Sequence, residues 1–413
     1  MIADRKVHGI QLAATMSAGF FDGATLSVYL AYIYQFGLSA LWLFVGLALG
    51  FLLLRRFAPK IKAVADAHRV YSMPEYFYRV LGKKSGILFS VTLILEFFLL
   101  LIVNLIVSGK VLSTIFPLSY SLSVAVGGAI ILMYLFLAGF KAVVRTDFFQ
   151  FLIMITMSVT VALYLFGRTS ISTIEWNPVG MGAGNIIGFL VIAALGVMVQ
   201  PDLWQRLFAS RDRETLRRGL AGGAVILPLL AIVISVVGLA TKQFFPQIRP
   251  EDALVTGFSH LLPFGLKEFG MVLLYAVSLS STDTVTFVVS SIFTRDLQNY
   301  SARYSQKSMR QLTRFFIVLF VVLGVAIAIL YQDILALGFS LASLSLALFP
   351  AVFGSLYWKL DDRAVAWSLA LALLSVAALF LFHALTPATA VVSLPVALVT
   401  LCFFQWIWAS KRA

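Results

Sequence analysis

Long apolar stretches dominate the chain, and each is long enough to cross a membrane as a helix. The hydrocarbon core of a bilayer takes roughly 20 consecutive apolar residues per helix. Short polar or basic connections separate the stretches, which predicts an all-helical, polytopic membrane protein without a soluble domain. The predicted spans number twelve and are centred near residues 22, 47, 100, 130, 156, 195, 230, 280, 322, 346, 374 and 399.

Two predicted spans contain breaks in their middle. The first carries Asp22 within "SAGFFDGATLS" (17–27), and the sixth places Gln200-Pro201-Asp202 inside an apolar stretch. Broken helices occur at membrane depth where the freed backbone groups meet protein, ions or cavity water. A packing kink explains either break alone. Two breaks separated by five spans favour an inverted-repeat transporter, in which corresponding helices of the two halves are interrupted.

The composition agrees with a membrane protein, and the charge reports its topology. The 413 residues are 61% hydrophobic and 12% charged, with a mean hydropathy of +0.97. The net charge of +13 does not indicate a nucleic-acid partner, because 26 of the 31 basic residues lie in alternate connections. This asymmetry is the positive-inside pattern and predicts that both termini are cytoplasmic. The remaining basic residues are Lys110, Arg168, Lys242, Arg249 and Lys267.

The sequence predicts neither an enzyme nor a cofactor protein. The single cysteine, Cys402, excludes a disulfide framework. No nucleophile–histidine or metal-ligand constellation is visible in the sequence. The histidines are scattered at His8, His68, His260 and His383.

Acidic residues inside the spans are candidate functional groups. A charged group at the centre of a membrane helix costs roughly 2.5–3.5 kcal/mol on insertion scales. Asp22, Glu96, Asp147 and Asp283 fall in the predicted spans. Asp147 has a structural alternative, since a carboxylate in the first turn of a helix complements the helix dipole.

The eighth predicted span carries a group of hydroxyls, in "SLSSTDTVTF" (278–287). Ser280, Ser281 and Thr284 share one side of a helix. Their oxygens, together with free carbonyls of a broken first span, are suitable ligands for an alkali cation. The alternative is that these hydroxyls bond neighbouring helices or their own backbone.

Several segments together resemble the sodium/solute symporter family, which includes bacterial proline, pantothenate, sialic acid and sugar symporters. The resemblance implies a LeuT-type fold of five plus five inverted helices with broken helices one and six, followed by two additional helices. It implies a first repeat over 1–167, a second over 168–356 and the additional helices over 357–413. The segments are "GFKAVVRTDFFQ" (139–150), "QPDLWQRLFASRD" (200–212), "SLSSTDTVTFVVSSIFTRDL" (278–297) and "ALFPAVFGSLYWKLDDRAVAWSL" (347–369).

The resemblance also implies a sodium site between the first and eighth spans. The hydroxyls of Ser280 and Ser281 match the family's sodium ligands. The carbonyl of Val277 is a third ligand, and carbonyls of the first span, at Ala18 and Phe21, complete the set.

Further residues follow from the same resemblance. Asp147, with Asp283 and Thr284, is expected to form a second sodium site or the ion exit. Asp22 is expected to contact either sodium or an amine on the solute. Ala193 and Val197 stand where proline symporters carry aromatics, which disfavours proline. The expected solute-lining residues are Asp22, Glu96, Val197, Met198 and Ser343.

The expected function is sodium-coupled import of a small organic solute by alternating access. The solute is an amino acid, a sugar, a carboxylate or a vitamin, and the protein is expected to work as a monomer in the plasma (bacterial inner) membrane. One alternative is proton coupling through Asp22, Glu96 or Asp283. Another class is a membrane sensor with a transporter-like fold. A sensor usually carries a signalling domain, and no such domain is visible after the last predicted span.

Overall fold

The computed structural model describes residues 9–68, 73–138, 140–168, 173–209, 213–300 and 306–409. These residues form helices, turns and loops, without a β-strand among them. The helices are α1 (Gly9–Ala18), α2 (Gly23–Phe36), α3 (Trp42–Ala67), α4 (Met73–Val80), α5 (Lys83–Ile115), α6 (Tyr120–Ala138), α7 (Phe140–Phe166), α8 (Ala183–Gly196), α9 (Pro201–Ala209), α10 (Arg213–Phe244), α11 (Ala253–His260), α12 (Leu266–Tyr300), α13 (Gln306–Leu330), α14 (Ile334–Ser355), α15 (Asp362–Leu381), α16 (Pro387–Ala390) and α17 (Ser393–Ala409).

The helices correspond to the spans predicted from hydropathy. In the described part of the chain, seven segments are individually long and apolar enough to cross a membrane, and the bent pair α8–α9 supplies an eighth. Two further apolar helices, over 120–136 and 152–166, are shorter. The remaining predicted spans are α12, which contains the polar cluster, and the first span, which is divided between α1 and α2. The short helices α4 and α11 lie in connections between spans.

The first span is broken, as predicted. Helix α1 ends at Ala18 and α2 begins at Gly23. Two tight turns bridge the gap, where the N–H of Phe20 donates to the carbonyl of Ser17 at 3.0 Å and that of Phe21 to Ala18 at 3.1 Å. The helical hydrogen-bond ladder is therefore interrupted between α1 and α2.

The sixth span is also broken, at the predicted proline. Helix α8 passes into a 3-10 turn over 197–199, and Gln200 is extended (φ −79°, ψ 115°) before Pro201 opens α9. The two helices are bent by 44°. The indole N–H of Trp204 donates to the carbonyl of Met198 at 2.9 Å, which satisfies a backbone acceptor that the break releases.

Helix α5 occupies the centre of the bundle. It packs against α12, α14, α6, α15 and α13, and α2 also contacts it. Most of its residues from Leu101 to Leu112 are fully buried. Because α5 contacts both the first and the eighth spans, its polar side chains are positioned to serve a site between those spans.

Gly23 permits a close approach of α2 to α12. A Cβ atom at this position would lie 2.2 Å from the hydroxyl oxygen of Ser278 and 3.1 Å from Oδ1 of Asn104. No real Cβ tolerates the first of these distances. Any larger residue therefore moves the broken end of the first span away from α12.

We expect Gly23→Ala to destabilise the protein by about 1–3 kcal/mol, since the added methyl group overpacks this contact. Thermal unfolding of the detergent-purified protein measures the effect. Gly196→Ala is the matched control, because a Cβ there meets no atom within 4 Å. The double variant Gly23→Ala with Ser278→Ala should recover much of the loss. Parent-like unfolding of Gly23→Ala would show that the contact is not as close as described.

Candidate functional site

A cavity of about 120 Å³ lies where the break of the first span meets α12. We call it the ion cavity. All five residues of the predicted sodium site line it, and Asp22 lines it as well. The predicted juxtaposition of a broken first span and the hydroxyl pair is thus present. The lining residues from these two spans are Ala18, Gly19, Phe20, Phe21, Asp22, Val277, Ser280, Ser281, Val285 and Val288.

The ion cavity is lined by neutral oxygens and by two acidic residues, Asp22 and Asp202, and Asp202 pairs with Arg206 at 3.3 Å. Ser280 and Ser281 are partly buried on consecutive positions of α12. The carbonyl of Ala18 accepts one hydrogen bond, from Phe21, and retains a second lone pair. Hard cations prefer several oxygen ligands of this kind. In the described residues, no group of three or more His, Cys, Asp or Glu side chains is arranged to hold a metal ion.

Asp22 caps α2. Its Oδ1 accepts a hydrogen bond from the backbone N–H of Thr25 at 2.7 Å, and its Oδ2 faces Nδ2 of Asn104 at 3.5 Å. The side chain is 3% exposed. The Asp22 side chain therefore terminates the break of the first span and brings an acidic group to the wall of the ion cavity.

Two polar residues at this position escaped the sequence analysis. Asn104 of α5 and Ser278 of α12 flank Gly23, and both are fully buried. Oδ1 of Asn104 and Oγ of Ser278 have no hydrogen-bond partner among the described residues. A single amide within the apolar run of α5 was the available signal for Asn104, because an amide at membrane depth needs a polar neighbour.

A second cavity, of about 140 Å³, adjoins the first. We call it the apolar cavity. It lies between the first, second, sixth and tenth spans, and Val197 is one of its lining residues. Phe20 and Gln200 line both cavities. Phe189 and Phe339 line the apolar cavity, and the ring of Tyr32 contacts theirs at centroid distances of 4.9 and 5.7 Å.

Three of the predicted solute-lining residues line neither cavity. Glu96 is 1% exposed and lies behind Ser345 and Gln200, whose side chains bond to it. Met198 is buried, and its carbonyl accepts from Trp204. Ser343 faces the opposite direction, since its hydroxyl donates to the carbonyl of Ala390 at 2.6 Å. Ser343 and Ser345 differ by two positions, which places them on different sides of α14.

The predicted second sodium site falls partly outside the described residues. The backbone of Asp147 belongs to α7, and that of Asp283 and Thr284 to α12. Their side chains lie outside the part of the chain that the structure describes. This site stays a prediction.

The fold is a polytopic helical bundle in which two broken helices surround a cavity lined by Ala18, Phe21, Ser280 and Ser281. A family model of the "Sodium:solute symporter family" matches residues 1–175 and 183–372, and the chain belongs to this family. Members of the family are transporters and not enzymes, and the protein is integral to a membrane.

Curated relatives extend over most of the chain. The "Osmoregulated proline transporter OpuE" of Bacillus subtilis (strain 168) is 26% identical over 388 residues, covering 87% of this chain and 78% of the relative. The "Sodium/proline symporter" of Staphylococcus aureus is 26% identical over 396 residues, covering 89% and 77%.

Solved structures establish the fold. A sodium-coupled sialic acid symporter in a substrate-bound, outward-open state superimposes with a TM-score of 0.77 at 16% identity, covering 97% of this chain and 89% of the other. MhsT in complex with L-phenylalanine superimposes with a TM-score of 0.60 at 14% identity, covering 96% of this chain and 97% of MhsT. Mhp1 in an inward-facing conformation superimposes with a TM-score of 0.57 at 14% identity, covering 100% of this chain and 92% of Mhp1. The LeuT-type fold expected from the resemblance is confirmed.

We expect Asp22→Ala to lower the free energy of unfolding by about 0.5–2 kcal/mol, because α2 loses its cap. Asp22→Asn should stay close to the parent, since an asparagine oxygen also caps. Asp333 is the matched control: its Oδ1 caps α14 through the N–H of Ala336 at 2.8 Å, and it does not line the ion cavity. Asp333→Ala should lose a similar amount. Equal stability of Asp22→Ala and Asp22→Asn in thermal unfolding would contradict the capping role.

Proposed function

We propose that this protein imports a small organic solute together with sodium by alternating access. One observation carries the proposal: the break of the first span and the hydroxyl pair of α12 line the same cavity. Sodium binds there through the hydroxyls of Ser280 and Ser281 and the carbonyls of Val277, Ala18 and Phe21. Family membership and relatives that carry sodium in their names support the choice of ion.

The solute binds in the apolar cavity. This cavity shares Phe20 and Gln200 with the ion cavity, so the two ligands lie on either side of common walls. Sodium favours the solute-binding state only insofar as it binds that state more tightly than the other. A shared wall supplies such a difference, because its position affects both cavities.

The membrane potential and the sodium gradient drive accumulation. Each positive charge that moves through 100 mV yields about 2.3 kcal/mol. The excess of basic residues in alternate connections supports cytoplasmic termini and a location in the plasma (bacterial inner) membrane. The moving units are a first repeat over 1–167 and a second over 168–356, with 357–413 as an accessory pair of helices. The protein acts as a monomer in the bilayer.

We expect sodium, but not potassium or choline, to raise the unfolding temperature of the purified protein. Ser280→Ala and Ser281→Ala should each weaken apparent sodium affinity about 10-fold or more, as expected for the loss of one ligand to a charged group. Ser290→Ala is the control on the same helix. The hydroxyl of Ser290 donates to the carbonyl of Thr286 at 2.8 Å, and Ser290 lines neither cavity. Full solute uptake in sodium-free buffer at low pH would instead establish proton coupling.

Asp147, Asp283 and Thr284 form either a second sodium site or the ion exit, and the number of coupled ions separates the two roles. We expect sodium-dependent uptake in proteoliposomes to show a Hill coefficient near two, falling toward one in Asp283→Ala. Thr286→Ala is a nearby control on α12, with a buried hydroxyl that bonds to the carbonyl of Thr282 at 2.6 Å. A Hill coefficient of one in the parent, unchanged in Asp283→Ala, would dispose of the second ion.

A further inference from the structure

An ion pair lies in the wall of the ion cavity. Asp202 and Arg206 of α9 both line this cavity, and Nη1 of Arg206 lies 3.3 Å from Oδ2 of Asp202. The two side chains are 29% and 25% exposed, so the pair is partly shielded from solvent. A positively charged side chain beside a cavity that receives a cation needs an explanation, because like charges repel each other.

The local sequence explains why the pair forms. Helix α9 begins at Pro201, so Asp202 lies in its first turn, where a carboxylate complements the helix dipole. Arg206 follows four residues later on the same face, and an acid that precedes a base by four positions is the favourable order. Glu214 and Arg218 form a pair with the same spacing on α10, but they are 59% and 74% exposed on the surface. Helical spacing therefore explains the pair and leaves its place at the cavity unexplained.

The break of the first span adjoins the pair. A Cβ atom at Gly19 would lie 3.3 Å from Oδ2 of Asp202 and 3.6 Å from Nη1 of Arg206. Gly19 directly follows Ala18, whose carbonyl is one of the proposed sodium ligands. Both charged groups therefore lie beside the backbone that contacts the ion in the proposed function.

Sodium and Arg206 compete for the same carboxylate. Charges that are partly buried are screened by salt less than exposed ones, so both act on an ion in the cavity. A carboxylate without its guanidinium partner would add a charged oxygen to the neutral hydroxyls of Ser280 and Ser281, and the charge of the ligands raises the affinity of a cation site. An ion that has to pass through a protein must be bound weakly enough to leave.

We propose that Arg206 withholds the carboxylate of Asp202 from sodium and so keeps the affinity of the ion cavity low enough for the ion to be released. Arg206 is a positioning residue that acts through Asp202, and it does not contact the ion. The inference rests on the proposed function, which places sodium in this cavity.

Variants of the two residues should change sodium affinity in opposite directions. Arg206→Gln should tighten sodium binding about 10-fold and slow dissociation, because Asp202 then attracts the ion without competition. Asp202→Asn should weaken binding about 10-fold, because the guanidinium stays in the wall without this carboxylate. The double variant should bind sodium much as the parent does. Equilibrium binding and dissociation of radioactive sodium, measured by scintillation proximity on the full-length protein in detergent, give these values.

Two controls separate charge from structure. Arg206→Lys keeps the positive charge and should restore an affinity close to that of the parent. Arg218→Gln removes a guanidinium from the exposed pair of α10 and should leave sodium binding unchanged. A purely structural role of the pair would weaken sodium binding in both Arg206→Gln and Asp202→Asn, and that result, or parent affinity in both, overturns the proposal. If Arg206→Gln does not fold, unchanged affinity in Asp202→Asn overturns it alone.

The response of the parent protein separates this inference from the proposed function. Sodium binding that depends on Ser280 but is unaffected by Arg206→Gln and Asp202→Asn leaves the symport proposal intact and removes the role of the pair. A parent protein that binds no sodium removes the coupling ion, and this inference is overturned with it.

Discussion

The structure depends on how backbone hydrogen bonds are satisfied where two helices break at membrane depth. An unpaired N–H or C=O group in the hydrocarbon costs several kcal/mol, so a break persists only with a partner in place. At the first break, the carboxyl group of Asp22 accepts a hydrogen bond from the N–H of Thr25. At the second, the indole N–H of Trp204 donates to the carbonyl of Met198. Both partners are buried, and they fix the ends of the half-helices that line the cavities. Without them, the oxygens near Ser280 would lose their arrangement.

The buried acids give the interior a consistent electrical character. Asp22 and Glu96 lie in the first and third spans, and among the described residues neither is paired with a lysine or arginine. The basic residue that lines the ion cavity, Arg206, contacts Asp202 at 3.3 Å. A buried acid without a basic partner is costly in its charged form.

Sequence reasoning recovered the features that are local or periodic. Apolar length predicted the spans, and Pro201 and Asp22 marked the breaks, because each changes the backbone at its own position. The hydroxyl pair of α12 was found because Ser280 and Ser281 are unusual within an apolar helix. Their meeting with Ala18 followed from the family resemblance, since nothing in the sequence alone states which spans touch.

The remaining features depend on helix phase and on contacts between distant segments. Ser343 and Ser345 are both serines of α14, and the sequence offered no means of choosing which of them faces the cavity. The structure turns Ser343 toward Ala390 and Ser345 toward Glu96. Glu96 was recognised as a costly residue, but its partners are separated from it by more than a hundred residues. Glu96 lies behind the residues that line the apolar cavity, and the hydropathy pattern does not predict such a position.

Gln200 connects these observations into one mechanism. It occupies the break of the sixth span, lines both cavities and bonds to Glu96, so a movement of this break changes the wall of each cavity and the environment of the buried acid at once. Phe20 provides the corresponding wall from the break of the first span. Coupling between two ligands requires that each bind the same state more tightly, and it needs no direct contact between them. Two broken helices that share the walls of both cavities meet this requirement with short-range contacts alone.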